Sequence, residues 1–439
     1  MKIGKAFTKS IFWRGFYFLS VLLLNILIAR HFKAEGSGQI FYIVNIFSIL
    51  VLLLSFSLET PMSFYLSQKK VTETQLAVAS FVWIILVMIP AYFFIEYVSS
   101  ATGIPFAARD FIISATAFVL GNLLISFFVA LFFAKLNFVL PNIFLVGVNI
   151  ILICLVPNNE VTSSVLGNAT YIRFYFIGFF AQGLLLAIAF CMRYVKLRSS
   201  LLLPATMLKP IFKFAAISVV TNFMSFLMYR IDYFFVKKYC LPADLGNYIQ
   251  ACKLAQLFFV VPAILAGVIF PLTAAGRKAE TNIKMQVLSR GLIFIYGLAC
   301  LLLILLGYWL FPIVFGETFK NMYLPFVLLT PAILSYSVIH LLAAYFSGKK
   351  VLHIGVWGNV FTLTIIIIGD ILFIPTYGIK AAAMVSSVGY LFLMLFLIFI
   401  HSKEYKSRLV DFLIIKRSDW YLLKNTIRQT VLARKNNGL

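Results

Sequence analysis

The sequence predicts an all-α polytopic membrane protein, with twelve transmembrane helices in two six-helix lobes related as parallel repeats about a central cavity. Three observations carry this reading: the composition, a series of long apolar stretches, and a repeat between the halves. Of the 439 residues, 62% are apolar or aromatic and only 12% are charged. Soluble domains are about 45–50% apolar and about 25% charged, so this chain lacks the polar surface to cover a water-soluble globule. Its 47 Phe and 21 Tyr equally exclude a disordered chain, which is poor in apolar area.

A helix needs about 20 mostly apolar residues to cross a hydrocarbon core about 30 Å thick. In the first half the stretches that qualify are 11–29, 40–66, 76–98, 111–133, 138–156 and 171–192. In the second they are 213–236, 248–273, 291–315, 322–346, 351–374 and 379–401. All are too continuous for barrel strands, which alternate over about ten residues. Within a bilayer the backbone must satisfy its own hydrogen bonds, which makes these stretches helices. The predicted division is an N-terminal lobe 1–200, a C-terminal lobe 201–402 and a basic cytoplasmic tail 403–439.

Orientation follows from the net charge of +23 and its placement. An even number of spans puts both termini on one side. Lys69, Lys70, Lys135, Arg193, Arg277, Lys278, Lys349 and Lys350 fall in loops on that side, together with the basic tail. The opposite loops hold fewer cations: Arg30, Lys33, Arg109, Lys237, Lys238, Lys320 and Lys380. Lys and Arg collect in cytoplasmic loops, so both termini are predicted to be cytoplasmic. That rule absorbs most of the charge, and nucleic acid is not an expected partner. In the tail, Leu413, Ile414, Ile415, Trp420 and Leu422 suit an interfacial amphipathic helix. The first span has no small-residue cleavage site after it and reads as a retained helix. Cys154, Cys191, Cys240, Cys252 and Cys300 lack CxxC spacing and read as small apolar side chains.

The halves repeat. A shift of 208 residues lays Gly38-Gln-Ile-Phe on Gly246-Asn-Tyr-Ile, and Lys69-Lys70 on Arg277-Lys278, in each case 31 residues after the glycine. Repeats with an even number of spans insert in the same orientation, and parallel repeats of this kind place a substrate site between them near the midplane. A transporter working by alternating access, functional as a monomer, is the architecture this favours. Enzymatic signatures are missing. There is no GxxxxGK[ST] loop, HExxH or GxSxG, and His31, His340, His353 and His401 are far apart. Neither catalysis, nor a cofactor, nor a metal is expected.

Ionisable groups inside a membrane are costly, about 2.5–3.5 kcal/mol each at the least, and tend to face a wet cavity or a partner. Those within the spans are Arg14, Glu59, Arg230, Asp232, Lys253 and Asp370. Arg230 and Asp232 are two residues apart, so on a helix they point about 200° from each other and do not pair. Arg230 and Lys253 are expected near the outer half of a cleft and Arg14 near the inner half, an arrangement suited to a diphosphate, which Arg grips with a planar fork. Competing readings stay open. Arg14 and Lys253 suit snorkelling to an interface, Glu59 suits a salt bridge to Arg14 or a coupling role, and Asp370 reads as the solvated end of its span. Pro90, Pro262 and Pro331 fall inside spans and predict bends.

Arg230-Ile-Asp232, then Leu245-Gly-Asn-Tyr248, Ala251, Leu254, Pro262 and Pro271 before Arg277-Lys278, resemble the second-half signature of Wzx-type polysaccharide and O-antigen flippases. These belong to the multidrug/oligosaccharidyl-lipid/polysaccharide (MOP) superfamily, of MATE-like fold, and the resemblance implies two lobes about a V-shaped central cavity. Gly36-Ser-Gly38-Gln-Ile-Phe-Tyr42 resembles the corresponding first-half segment. The bulky Phe16, Tyr17 and Phe18 depart from the family's small residues in the first span. The resemblance implies a polyprenyl (undecaprenyl) diphosphate-linked oligosaccharide as substrate. It would be flipped from the cytoplasmic to the outer leaflet of a bacterial inner membrane, with an ion gradient as the energy source. A polymerase or glycosyltransferase is then a candidate partner, beside membrane lipids. Asp232 and Glu59 become the candidate coupling or structural acids, and Asn25, Asn222 and Tyr229 candidate sugar contacts. The alternatives are a multidrug cation antiporter of the same superfamily, which would want acids in its cleft, and a lipid II flippase, for which twelve spans are few.

Overall fold

The structure, a computed structural model, describes residues 2–102, 108–156, 165–196, 200–274, 276, 278–349, 351–416 and 419. Arg277, Lys350, Trp420 and Leu422 lie outside these residues. All regular structure among them is helical, as an apolar bilayer interior requires. The helices are α1 (Lys2–Ser55), α2 (Glu59–Ser67), α3 (Glu73–Thr102), α4 (Ala108–Ala134), α5 (Val139–Cys154), α6 (Val165–Tyr194) and α7 (Ala205–Arg230). They continue with α8 (Asp232–Tyr239), α9 (Pro242–Leu257), α10 (Val260–Ala274) and α11 (Lys278–Phe315). A 3-10 turn Glu317–Met322 leads into α12 (Tyr323–Gly348), α13 (Leu352–Tyr377), α14 (Ile379–Tyr405) and the four-residue α15 (Val410–Leu413).

Among the described residues, ten helical segments are long and apolar enough to cross a membrane. The twelve predicted stretches differ from these in two places. Residues 30–39, expected as a loop, stay helical except at Lys33 (φ 57°, ψ −176°), so the first two stretches share one segment, Phe12–Ser55. The fifth stretch, 138–156, forms only the 16 residues of α5, short of a full crossing. Several stretches are broken helices. The second continues into α2 through Phe56 and Ser57, both at positive φ. The seventh breaks at Ile231, and the eighth at Phe258–Phe259, one turn before Pro262. That last break follows from the missing proline N–H and the clash of its ring with the preceding turn.

The chain forms two compact units: Met1–Arg230 with Ile313–Phe319, and Ile231–Pro312 with Lys320–Leu439. In the first, α4 packs along α6 and α3, α1 along α5, and α7 lies against α1 and α2. Its core is aromatic: Phe47, Phe111, Phe118 and Phe176 interleave with ring centroids 5.0–6.4 Å apart. Glycine brings α4 and α6 together. A Cβ at Gly121 would overlap the backbone of Phe179 and Phe180, and one at Gly183 would sit 2.5 Å from the Gly121 carbonyl oxygen. Close backbone approach through small residues is how helices associate where lipid removes the hydrophobic drive. Gly121→Val is therefore expected to lower thermal stability by about 1–3 kcal/mol or more through overpacking. Gly147→Ala in α5, where a Cβ meets nothing within 4 Å, should leave stability unchanged or slightly raised in the same melting assay. In the second unit, α12, α13 and α14 pack together, with α10 and α9 against α12 and the short α8 against α9, α13 and α14.

Candidate functional site

The second unit holds the chain's most unusual chemistry. Asp232 is the first residue of α8 and is 2% exposed. Its Oδ2 accepts a short hydrogen bond from the Tyr248 hydroxyl on α9 and a second, at 3.2 Å, from Ser386 Oγ on α14. Its Oδ1 is buried without a partner. Asp370, on α13, is fully buried, and neither of its carboxylate oxygens has a hydrogen-bond partner. The two acids lie close enough to repel each other. Tyr233 packs edge-on against Tyr248 at 5.9 Å, and Tyr390 and Cys252 also lie near. Four helices thus converge on two carboxylates, and neither acid has a Lys or Arg partner among the described residues. Two buried carboxylates that share a site cannot both ionise without a compensating cation. The site is suited to hold a shared proton or a monovalent cation, with Tyr248 and Ser386 fixing the orientation of Asp232. Among the described residues no cluster of three or more His, Cys, Asp or Glu is placed to hold a metal.

This corrects the expectation for Asp370, read as the solvated end of its span. The helix runs on to Tyr377, seven residues or about 10 Å further. Asp370 is thereby drawn into the protein. The sequence signal was present as an acid within the apolar run Thr362–Phe373, but its depth depended on where the helix ended.

In the first unit Arg230 closes α7, half-buried. Its Nη1 donates to Asn45 Oδ1 at 3.3 Å, and its guanidinium stands 5.1 Å from the centre of the Phe226 ring. Asn45 is fully buried and its Nδ2 has no partner. Arg14 is exposed near the start of α1 and stands over the Phe133 ring at 5.5 Å. Glu59, the first residue of α2, keeps Oε2 buried without a partner. No ion pair joins Arg14 to Glu59, contrary to the salt bridge considered from sequence, because Arg14 rests on an aromatic face instead. Asn222 is exposed, yet its Nδ2 donates to Ser57 Oγ at 3.0 Å, bracing the turn between α1 and α2. Asn25 and Tyr229 are half-buried on α1 and α7. Lys253 is half-buried on α9, in the second unit.

A buried polar chain in the first unit had no counterpart in the sequence reading. Gln182 donates to Asn149 Oδ1 (2.8 Å) and to the Leu145 carbonyl (3.1 Å), and Asn149 donates to Ser20 Oγ (2.9 Å). These bonds tie α6, α5 and α1 together. Their satisfaction within the protein marks them as interhelical glue and not as a binding site.

A family model described as polysaccharide biosynthesis protein matches residues 175–324. Comparison with curated protein sequences gives no match. Among solved structures, the lipid II flippase MurJ in an inward closed conformation superposes with a TM-score of 0.68 at 16% identity, over 92% of this chain and 89% of that one. A mutant of a Vibrio cholerae MATE transporter gives 0.67 at 12% identity, over 94% and 99% of the two chains. A MOP-superfamily transporter from Pyrococcus furiosus, described by the reverse polarity of its binding pocket, gives 0.63 at 14% identity, over 92% and 97%. The chain therefore carries the sequence match of the polysaccharide biosynthesis proteins over residues 175–324, on the fold shared by the lipid II flippase and the MATE transporters.

Proposed function

We propose that this protein is a flippase that moves a polyprenyl-diphosphate-linked oligosaccharide from the cytoplasmic to the outer leaflet of a bacterial inner membrane, by alternating access, for O-antigen, capsule or exopolysaccharide synthesis. The observation that carries the proposal is the polysaccharide-biosynthesis match on a fold shared with a lipid II flippase. In this reading the chain crosses the membrane twelve times with both termini cytoplasmic, Phe12–Ser55 supplying two crossings on either side of Lys33 and the short α5 one more. Each half, 1–200 and 201–402, is one repeat. Arg14, Arg230 and Lys253 are the cations for the diphosphate. Arg230 is the strongest of the three, because Asn45 and Phe226 hold its guanidinium while leaving donors unspent. Asn25 and Tyr229 remain the candidate sugar contacts, and Asn222 contributes through its oxygen. The Asp232–Asp370 centre is the coupling element. Loading it with a proton or a monovalent cation relieves the repulsion between the two acids and so favours one arrangement of α8, α13 and α14 over another. Glu59 is a second buried acid, assigned to the structure of the α1–α2 turn.

A multidrug cation antiporter is the second reading, favoured by these same buried acids. One experiment separates the two. In the host strain, loss of the gene should abolish surface polysaccharide without sensitising cells to cationic dyes, and Arg230→Ala should reproduce that loss at unchanged membrane protein level. A drop in displayed polymer of at least about tenfold is expected for a lost charged hydrogen-bonding group. Full complementation by Arg230→Ala would remove Arg230 from the diphosphate site. Dye sensitivity with intact polysaccharide would reverse the assignment.

A further inference from the structure

The second unit carries a groove of about 630 Å³ on the face of α13 and α14, with Leu328 of α12 at one side. Its walls are Ile368 and Leu372 on one helix and Met384 and Val388 on the other, side chains that are each at least half exposed. The floor lies where the two helices approach at Gly369, where a Cβ would come within 2.7 Å of Val385. Ser387 Oγ donates to the Leu328 carbonyl at 2.5 Å, so the edge of the groove presents no unsatisfied backbone oxygen there. Only three lining side chains bear a polar atom. Thr364, at one end, turns its hydroxyl back to the Val360 carbonyl at 2.9 Å. Tyr377 and Lys380, at the other end, are exposed.

A ligand arriving from water would find almost nothing to bond to in such a trough, whereas a lipid chain would. From Thr364 to Tyr377 the groove follows 13 residues of α13, which is about 20 Å at 1.5 Å per residue. One leaflet with its headgroups is half of about 40–45 Å, so the groove is as deep as one upright lipid. Tyrosine and lysine are among the side chains that anchor a helix at a membrane interface, and they stand together at one end. The Lys380 ammonium there matches an anionic headgroup.

We propose that this groove seats one anionic phospholipid of the adjoining leaflet, with its chain along α13 and α14 and its phosphate at Lys380. The site backs onto the acid centre: Gly369 and Val385 in its floor are each followed in the chain by a residue of that centre, Asp370 and Ser386. A bound lipid therefore steadies the two helices that carry these groups.

The test uses the full chain, returned to vesicles of phosphatidylcholine containing phosphatidylglycerol, extracted, and read by native mass spectrometry for retained lipid. One phosphatidylglycerol per chain should be retained about fivefold more than phosphatidylcholine, since one lysine contributes about 1 kcal/mol at an anionic surface and 1.4 kcal/mol is tenfold. Lys380→Gln should remove that preference, Lys238→Gln should keep it, and Met384→Trp, which fills the groove without changing charge, should expel the lipid whatever its headgroup. Equal retention of the two phospholipids by the parent chain would overturn the proposal, as would an unchanged preference in Lys380→Gln. Displacement of the phosphatidylglycerol by an equal mole fraction of a polyprenyl phosphate would overturn it in favour of the transported lipid.

Discussion

Asp370→Asn is expected to stop transport while leaving the folded protein at least as stable as the parent. The two outcomes have one cause. The Asp370 carboxylate is fully buried and its oxygens accept no hydrogen bond, so an isosteric amide gives up no contact and removes a repulsion with Asp232. A buried acid kept for structure would behave in the opposite way, because its loss would strand its partners. Asp232→Asn should impair transport similarly. It should also disturb packing slightly, because Tyr248 and Ser386 both donate to this side chain. Groups that build or support an ion site typically cost about 10–100-fold in affinity or activity when lost. The measurement is polymer display at matched protein level, paired with thermal melting of the purified chain. Asp110→Asn serves as control. It breaks the ion pair with Arg173 at 2.5 Å between side chains 39–43% exposed, a kind of pair that contributes about 0–1 kcal/mol, and transport should stay within about twofold of the parent. Wild-type transport by Asp370→Asn would remove the acid centre from the coupling mechanism.

Hydropathy made most of the helices legible, because a spanning segment must be apolar along its whole length and nothing else in the chain is. What hydropathy could not place were the breaks and the depths. Lys33 interrupts α1 in a stretch whose polarity suggested a loop, and the backbone stays helical on either side of it. The break at Phe56–Ser57 lies one turn before Pro61, as that at Phe258 lies before Pro262, and the bond from Asn222 to Ser57 braces it. The break at Ile231 falls where no proline or glycine announces it. The acid centre was half visible. Asp232 stood out as an ion in an apolar run. The angle between it and Arg230 assumed one continuous helix, whereas α7 ends at Arg230 and α8 begins at Asp232, with Arg230 bonded to Asn45 and Asp232 to Tyr248. Tyr248 lay inside the motif Leu245-Gly-Asn-Tyr248 without an assigned role. Its bond to Asp232 links residues 16 apart, and that from Ser386 links residues 154 apart, contacts that no local pattern encodes.

Asp419→Ala is expected to release the segment after α14 from the second unit. That segment was expected to lie on the membrane surface as an amphipathic helix. Its described residues form a folded strap, and Trp420 and Leu422 of the expected helix lie outside them. Arg290, inside α11 and 4% exposed, donates through Nε and Nη2 to both oxygens of Asp419 at 2.6 Å, and through Nη1 to the Asp411 carbonyl at 2.5 Å. Arg408 and Lys416 fold the strap around the Asp411 carboxylate, and Gln286 reaches Ser407 Oγ at 3.0 Å. Phe412 is fully buried with its ring 5.4 Å from that of His401. Removing one partner of a buried, bidentate ion pair leaves the other charged and desolvated, at a cost of about 3–5 kcal/mol. Asp419→Ala should therefore expose the chain beyond residue 405 to limited proteolysis. Arg290→Met combined with Asp419→Leu should recover much of the protection, because an apolar pair carries no stranded charge. The pair's own pH dependence has a definite sign. The Arg290 hydrogen bond, the largest influence on Asp419, holds its carboxyl below the ordinary carboxylate range. The stabilisation is therefore fully present above the unfolded carboxyl's pKa and is lost only as pH falls through the lower folded value. Protection of the strap should be flat from neutral pH down to the ordinary carboxylate range and collapse below it. A strap that loosens between pH 7 and 6 would place its anchor elsewhere.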